Sequence, residues 1–239
     1  MTSTLEHGSE HAHHEDPRTV YLRQRLGVLI FIAGDLVTFG ALIFTYLYLR
    51  GTNTLGHWMS IVAVPNTAAT KADPQGFLDN GGQMSLIHEH ALSAGLSWII
   101  AAVVVLSALF IWWGERRLKA GAKGAMTLAG ILATLSVMVS IGLTVAQMHS
   151  VPQYWRAEAD SQLYVYTAYG SVMLALGISA LLHALVLLLL GSGVIRRSVS
   201  GRLSPEAPYH ATLVRLFWVW VAISTVLTTV VVTVFTNVN

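Results

Sequence analysis

Two titratable residues stand inside stretches of the chain that are otherwise apolar. Asp35 follows the run VLIFIAG, and His183 lies within ALLHALV. A carboxylate at the centre of a membrane helix costs about 2.5–3.5 kcal/mol on insertion scales, so a proton, a partner or water must compensate. Both residues lie roughly ten residues, at ~1.5 Å each, from the same predicted side of the membrane. We therefore formulate the hypothesis of an Asp35–His183 pair.

Other interpretations of both residues stay open at this stage. Asp35 is the single acidic residue well inside a predicted span. It is either a proton-exchanging group, as intramembrane carboxylates frequently are, or a buried carboxylate that only bonds a neighbouring helix. His183 is either its partner or a lone histidine bonded to a backbone or hydroxyl group.

The composition indicates a membrane protein. Of the 239 residues, 54% are hydrophobic and 11% are charged, against about 25% charged in a soluble domain. Runs of roughly 20 apolar residues predict membrane helices, here five, over 24–49, 91–114, 125–148, 161–192 and 211–236. The predicted fold is an all-α bundle of five transmembrane helices, with a polar tail over 1–22, a membrane domain over 23–239 and an outer loop over 51–88. The sequence has no cysteine, which excludes disulfides and thiolate metal sites.

Loop charges predict the orientation, because basic residues concentrate on the cytoplasmic side. One predicted side carries Arg18, Arg23, Arg25, Arg116, Arg117, Lys119, Lys123, Arg196, Arg197, Arg202 and Arg215. The other side carries Arg50, Lys71 and Arg156. The N-terminus is therefore predicted to be cytoplasmic and the C-terminus to face outward.

Histidine-rich segments raise the question of a metal site. The tail contains His7, His11, His13 and His14 among acidic residues, and imidazole with carboxylate can bind zinc or copper. We favour a solvated tail, because spacing in such a segment fixes no coordination geometry. The triplet 88–90, His-Glu-His, also does not place its two histidines on one helix face. No metal site is predicted in this chain.

Small polar residues and tryptophans are interpreted structurally. Ser136, Ser140, Thr144 and Gln147 recur at helical spacing, which predicts close packing of the third helix rather than a proton path. The aromatic residues near predicted helix ends are interpreted as interfacial anchors. They are Trp112, Trp113, Tyr154, Trp155, Trp218 and Trp220. For those in the fifth helix, contact with a partner is the alternative.

Two segments resemble subunit III of the haem–copper respiratory oxidases, in its five-helix form. The first is RLGVLIFIAGDLVTFG, from Arg25 to Gly40, with an acidic residue preceded by a small one. The second is RLFWVWV, from Arg215 to Val221, near the start of the last helix. The chain departs from the family elsewhere. Residues 172–175 lack the His-Gly-x-His motif that the family has there. Val219 occupies the position of the family's last-helix histidine, and Thr144 and Gln147 lie near the positions of its glutamates.

The resemblance implies a divergent, non-redox subunit of a bacterial plasma-membrane oxidase. Haem and copper are then expected in the catalytic partner subunit, and phospholipid is expected in a cleft of this chain. Asp35 and His183 are the candidates for proton uptake and for the lipid cleft. The alternatives are an accessory subunit of a nitric oxide reductase or copper monooxygenase, or a small transporter. Five spans do not divide into the two halves of an inverted repeat, which disfavours the transporter.

Overall fold

Five long helices form the protein. The computed structural model describes residues 16–52, 60–65, 85–88, 93–150, 163–164, 168–205 and 208–234. The helices within these ranges are α1 (Pro17–Gly51), α2 (Ala94–Lys119), α3 (Lys123–Ser150), α4 (Ala168–Val199) and α5 (Tyr209–Val234). Each is long and apolar enough to cross a membrane. The prediction of an all-α, five-helix membrane bundle is confirmed.

The helix ends differ most from the predicted spans in α1 and α4. α1 begins at Pro17, inside the predicted tail, where the Asp16 side chain accepts a hydrogen bond of 3.1 Å from the Arg18 amide. Proline suits the first helical position because its missing N–H would have no helical partner there. α4 covers 168–199 rather than 161–192. Hydropathy reports the apolar part of a helix, whereas helical hydrogen bonding continues into the polar turns beyond it.

Three short strands lie outside the spans. They are β1 (Ser60–Pro65), β2 (Ser85–His88) and β3 (Leu163–Tyr164), paired antiparallel in the order β2-β1-β3. β1 and β2 belong to the α1–α2 connection and β3 to the α3–α4 connection. Since their strands pair, both connections lie on one side, which we call the strand face. The rest of loop 51–88 from residue 53 onward, the tail histidines, Glu89 and His90 lie outside the described residues.

The opposite ends of the helices meet at what we call the basic face. There the Tyr21 ring of α1 lies 4.7 Å from the Tyr209 ring of α5, centroid to centroid. At the same face the hydroxyls of Thr127 in α3 and Ser198 in α4 share a hydrogen bond of 2.7 Å. The start of α1, the α2–α3 turn and the α4–α5 connection therefore lie together, as the loop charges require.

Small residues allow the helices to approach closely. Gly114 of α2 faces α3 so tightly that a Cβ atom there would overlap the Ala129 side chain. Gly191 of α4 faces the Thr134 side chain of α3 in the same way. Helix association in a membrane depends on such packing, because lipid tails are as apolar as the side chains they surround. These contacts organise the main core, in which Ile111, Leu118, Met126 and Trp218 are fully buried.

α1 is attached more sparsely than the other helices. Phe39 and Tyr46 are its buried hydrophobic residues, and they belong to a small cluster with Met173, Leu176 and Val232. Most other apolar side chains of α1 face outward. The few inward contacts of α1 therefore decide where this helix lies.

A buried carboxylate joins α2 to α5 near the basic face. Glu115 is almost fully buried, and its carboxylate accepts hydrogen bonds of 2.6 Å from Lys119 Nζ and 2.7 Å from the Thr212 hydroxyl. Arg215 Nε lies 2.5 Å from its other oxygen. Sequence reasoning counted Arg215 among the orientation charges and did not single out Glu115. The partners of Glu115 on α5 are Thr212, 97 positions away in sequence, and Arg215. No local sequence pattern reveals such contacts.

The two cations at Glu115 should differ in their contribution to stability. Arg215→Met is expected to lower the free energy of unfolding by about 3 kcal/mol, because it leaves a buried carboxylate without its interhelical counter-charge. Lys119, whose side chain is 49% exposed against 29% for Arg215, provides the matched control. Lys119→Met is expected to cost under about 1 kcal/mol. Denaturant titration in detergent, followed by tryptophan fluorescence, measures both, and equal losses would contradict the interhelical role of Arg215.

Candidate functional site

Asp35 and His183 are in direct contact. His183 Nε2 of α4 lies 2.8 Å from Asp35 Oδ2 of α1. The side chain of His183 is only 13% exposed and that of Asp35 only 16%. The pairing hypothesis is confirmed, and the interpretation of His183 as a lone histidine is wrong. What the pair does remains a prediction.

A third helix contributes to the same carboxylate oxygen. Trp220 of α5, which is 9% exposed, donates its indole N–H to Asp35 Oδ2 at 2.5 Å. The interpretation of Trp220 as an interfacial anchor is therefore wrong. The same holds for Trp218, which is fully buried and donates to the Ser107 hydroxyl at 2.9 Å. Trp220 lies about eleven residues, or ~16 Å, from the start of α5. An interfacial anchor would lie closer to the end of the helix.

The hydrogen bonds fix the proton arrangement of the pair. His183 Nδ1 lies 2.7 Å from the Ser179 carbonyl oxygen, and a carbonyl oxygen only accepts, so Nδ1 carries a hydrogen. Nε2 then faces Asp35 Oδ2 either with its own hydrogen or with a lone pair. Two lone pairs would repel each other, so one proton lies between Nε2 and Oδ2. The site thus holds one proton between two bases, which gives it a net charge of zero in either form.

Aromatic rings border the pair on the side of the basic face. The Phe217 ring stacks on the His183 ring, with centroids 6.4 Å apart and planes at 19°. Phe31, one turn before Asp35, lies 5.6 Å from the Phe217 ring. Phe217 and Phe31 therefore separate the pair from the space nearer the basic face.

An apolar cleft occupies that space between α1, α4 and α5. Its volume is about 550 Å³, and its walls include Val28, Phe31, Leu190 and Phe217. Its lining also includes Arg197 and His210, both near the basic face. The arrangement is an apolar cleft with the Arg197 guanidinium at one end.

The polar stripe on α3 makes interhelical contacts. Ser140, Thr144 and Gln147 are buried. Gln147 donates through Nε2 to the Ser97 hydroxyl of α2 at 2.6 Å and to the Ser93 carbonyl oxygen at 3.4 Å. The prediction that this stripe serves helix packing is confirmed for Gln147, whereas the Ser140 hydroxyl donates to the Val137 carbonyl oxygen of its own helix. Thr144 and Gln147 also line a second cavity, on the strand-face side of the pair.

Coordination chemistry has few candidate ligands here. Among the described residues, no three histidine, cysteine, aspartate or glutamate side chains come together. The site itself offers Asp35 and His183. The groups in place suit proton exchange, for which two bases that share a proton suffice.

Comparison with known proteins adds no assignment. No protein-family model and no curated protein matches this chain.

The hydrogen bond from Trp220 predicts a spectroscopic signature. Trp220→Phe removes one N–H donor from Asp35 Oδ2 while keeping an aromatic ring, so the infrared band of the Asp35 carboxyl group should shift. The band is identified by its loss in Asp35→Asn. Trp218→Phe is the matched control, because its donor serves Ser107. An unmoved band in Trp220→Phe, or an equal shift in Trp218→Phe, would contradict the contact.

Proposed function

We propose that this chain is a non-redox subunit of a haem–copper respiratory oxidase, resembling subunit III. The observation that carries the proposal is the meeting of the two segments in which the resemblance lies. Asp35 belongs to the first segment and Trp220 to the second, and Trp220 donates to Asp35 Oδ2. The two residues lie 185 positions apart, so their contact is a property of the fold that the resemblance did not contain.

The chemistry of the site supports a role in proton handling. Asp35 and His183 hold one proton between them inside the membrane region, and intramembrane ionisable groups of this kind mark proton relays. We propose that the pair supports proton uptake by the catalytic subunit during electron transfer to oxygen. Haem and copper belong to that partner subunit in this proposal.

The apolar cleft supports the expectation of bound phospholipid. Along α4 it extends from Val186 to Arg197, which is about 16 Å at ~1.5 Å per residue. That length corresponds to one leaflet of a hydrocarbon core about 30 Å thick. Arg197 lies where a lipid phosphate would be placed, and basic pockets between membrane helices bind anionic head groups.

The charge distribution supports a location and an orientation. The basic face collects the α1 start, the α2–α3 turn and the α4–α5 connection, and basic residues mark the cytoplasmic side. We place the protein in the bacterial plasma membrane with its N-terminus cytoplasmic and its C-terminus outside.

Purification of the full chain with its partners tests the proposed function. The affinity-tagged chain, extracted in mild detergent from aerobically grown cells, is expected to bring with it a larger subunit and haem absorption in the visible spectrum. An unrelated multi-pass protein of the same host, with the same tag, controls for carry-over. A colourless, homogeneous chain would refute membership of an oxidase.

Asp35→Asn in the same complex tests the proton role separately. Asparagine keeps the size and the acceptor for Trp220 but cannot exchange a proton as the carboxyl group does. The initial rate of oxygen consumption and the haem content are expected to match the unmodified complex, whereas activity is lost after fewer turnovers. Undiminished activity over many turnovers would assign Asp35 to packing alone.

Lipid retention tests the cleft. Arg197→Gln is expected to remove roughly one anionic phospholipid per chain from the purified complex, because the basic end of the cleft loses its charge. Arg196→Gln is the matched control, since Arg196 is exposed and does not line the cleft. Mass spectrometry of extracted lipid measures both variants, and equal lipid content in all three proteins would contradict the assignment.

A further inference from the structure

A second cavity leads from the Asp35–His183 pair toward the strand face. It has a volume of about 110 Å³, and its lining runs along α4 from His183 to Met173 and along α5 from Val221 to Val232. At ~1.5 Å per residue, it extends about 15 Å. Gln147 of α3 and Ser97 of α2, both near the strand-face ends of their helices, also line it.

One wall of this cavity is a stripe of hydroxyl groups on α5. Ser224, Thr225, Thr228 and Thr229 occupy successive turns of the same face. Each donates its hydrogen to a carbonyl of its own helix, at distances of 3.0, 2.7, 2.9 and 2.9 Å in chain order. Their oxygens keep lone pairs for a donor within the cavity. The stripe offers acceptors at one-turn intervals toward His183.

Water is the ligand that this cavity suits. Most of the lining is apolar, but the α5 stripe places four hydroxyl oxygens along one wall. Ordered water needs such polar partners and about 30 Å³ of liquid volume per molecule. About three molecules therefore fit, and with hydrogen bonds of ~2.8 Å such a chain spans about 11 Å. Together with the hydroxyl groups, it reaches from His183 to the level of Gln147 and Ser97.

The two sides of the pair differ in where their polar groups lie. Toward the basic face, the Phe217 ring lies against His183 and the space beyond is the apolar cleft. Toward the strand face, the lining carries the four hydroxyl groups of the α5 stripe. A proton moves along hydrogen-bonded water, which the hydroxyl oxygens can hold in place as acceptors, but not along hydrocarbon.

We propose that this cavity holds a water chain through which the Asp35–His183 pair exchanges its proton with the aqueous phase at the strand face. A hydronium ion at the inner end of the cavity gives a proton to the Nε2–Oδ2 bridge and becomes water. The bridge then returns one proton to the water chain, so the pair regains its net charge of zero. The inference goes beyond the oxidase proposal and does not depend on the identity of the partner complex. It makes the pair a proton store loaded from the face opposite the basic loops.

Single cysteines test the water chain, and the chain has no cysteine of its own. Ser224→Cys and Thr228→Cys place a thiol on the lining. Ala222→Cys is the matched control, since Ala222 is buried on the same helix at similar depth but does not line the cavity. Ser200→Cys, in the exposed turn after α4, marks the basic face.

The probe is Ag⁺, applied as nitrate in chloride-free buffer to right-side-out and inside-out membrane vesicles that contain the full chain with its partners. Ser224→Cys and Thr228→Cys are expected to react at least about tenfold faster than Ala222→Cys, because a hydrated thiol ionises and a dry one does not. This faster reaction is expected in the vesicles whose outer surface is the strand face, in which Ser200→Cys on the basic face is shielded from the probe. Rates equal to that of Ala222→Cys in both orientations, or reaction from the Ser200 side, would overturn the proposal.

A second measurement connects the water to the pair. Thr228→Val keeps the side-chain shape and removes one hydroxyl group from the wall. It is expected to slow hydrogen–deuterium exchange of the Asp35 carboxyl band several-fold. Thr45→Val is the control, because Thr45 is an exposed residue of α1 whose hydroxyl bonds the Ala41 carbonyl oxygen. Equal exchange rates in the two variants would overturn the water connection even where the cysteines react.

Discussion

The Asp35 carboxylate lies inside the membrane region and needs hydrogen-bond partners there. This requirement determines how three helices are arranged. Asp35 cannot be left alone in a hydrocarbon environment, and α1 carries no second group that could compensate it. His183 of α4 and Trp220 of α5 both reach Oδ2, so the two helices must approach α1 at the same level. Because α1 has few other buried contacts, this oxygen determines its position more than hydrophobic packing does.

The rest of the bundle is arranged around that point in two unequal parts. α2, α3, α4 and the first half of α5 form a dense core near the basic face, where small residues such as Gly114 and Gly191 allow close approach. Glu115 and Arg215 join two of these helices by charge. α1 and α4 close over α5 less tightly, and the space left between them appears as the cleft on one side of the pair and the hydroxyl-lined cavity on the other.

This division gives the site its chemical character. A single proton between His183 and Asp35 leaves the pair neutral, so either position of the proton is compatible with a membrane interior. Phe217 separates a region suited to an acyl chain from a region suited to water. Proton handling and lipid binding can therefore adjoin without the lipid entering the polar side. In the proposed oxidase, proton handling and lipid binding would then both belong to a subunit that need not bind a metal.

The sequence by itself determined the class and the count of helices, because hydrophobic length depends on nothing beyond the segment. It also determined that Asp35 required compensation by a proton, a partner or water, since the cost of a buried charge is independent of the fold. His183 could be nominated because depth is counted along each helix. Trp220 and Glu115 could not, because their partners lie on other helices and rotation about a helix axis is set by packing. Only the tertiary structure decided which faces meet, and with them the cleft, the cavity and the single oxygen that three helices share.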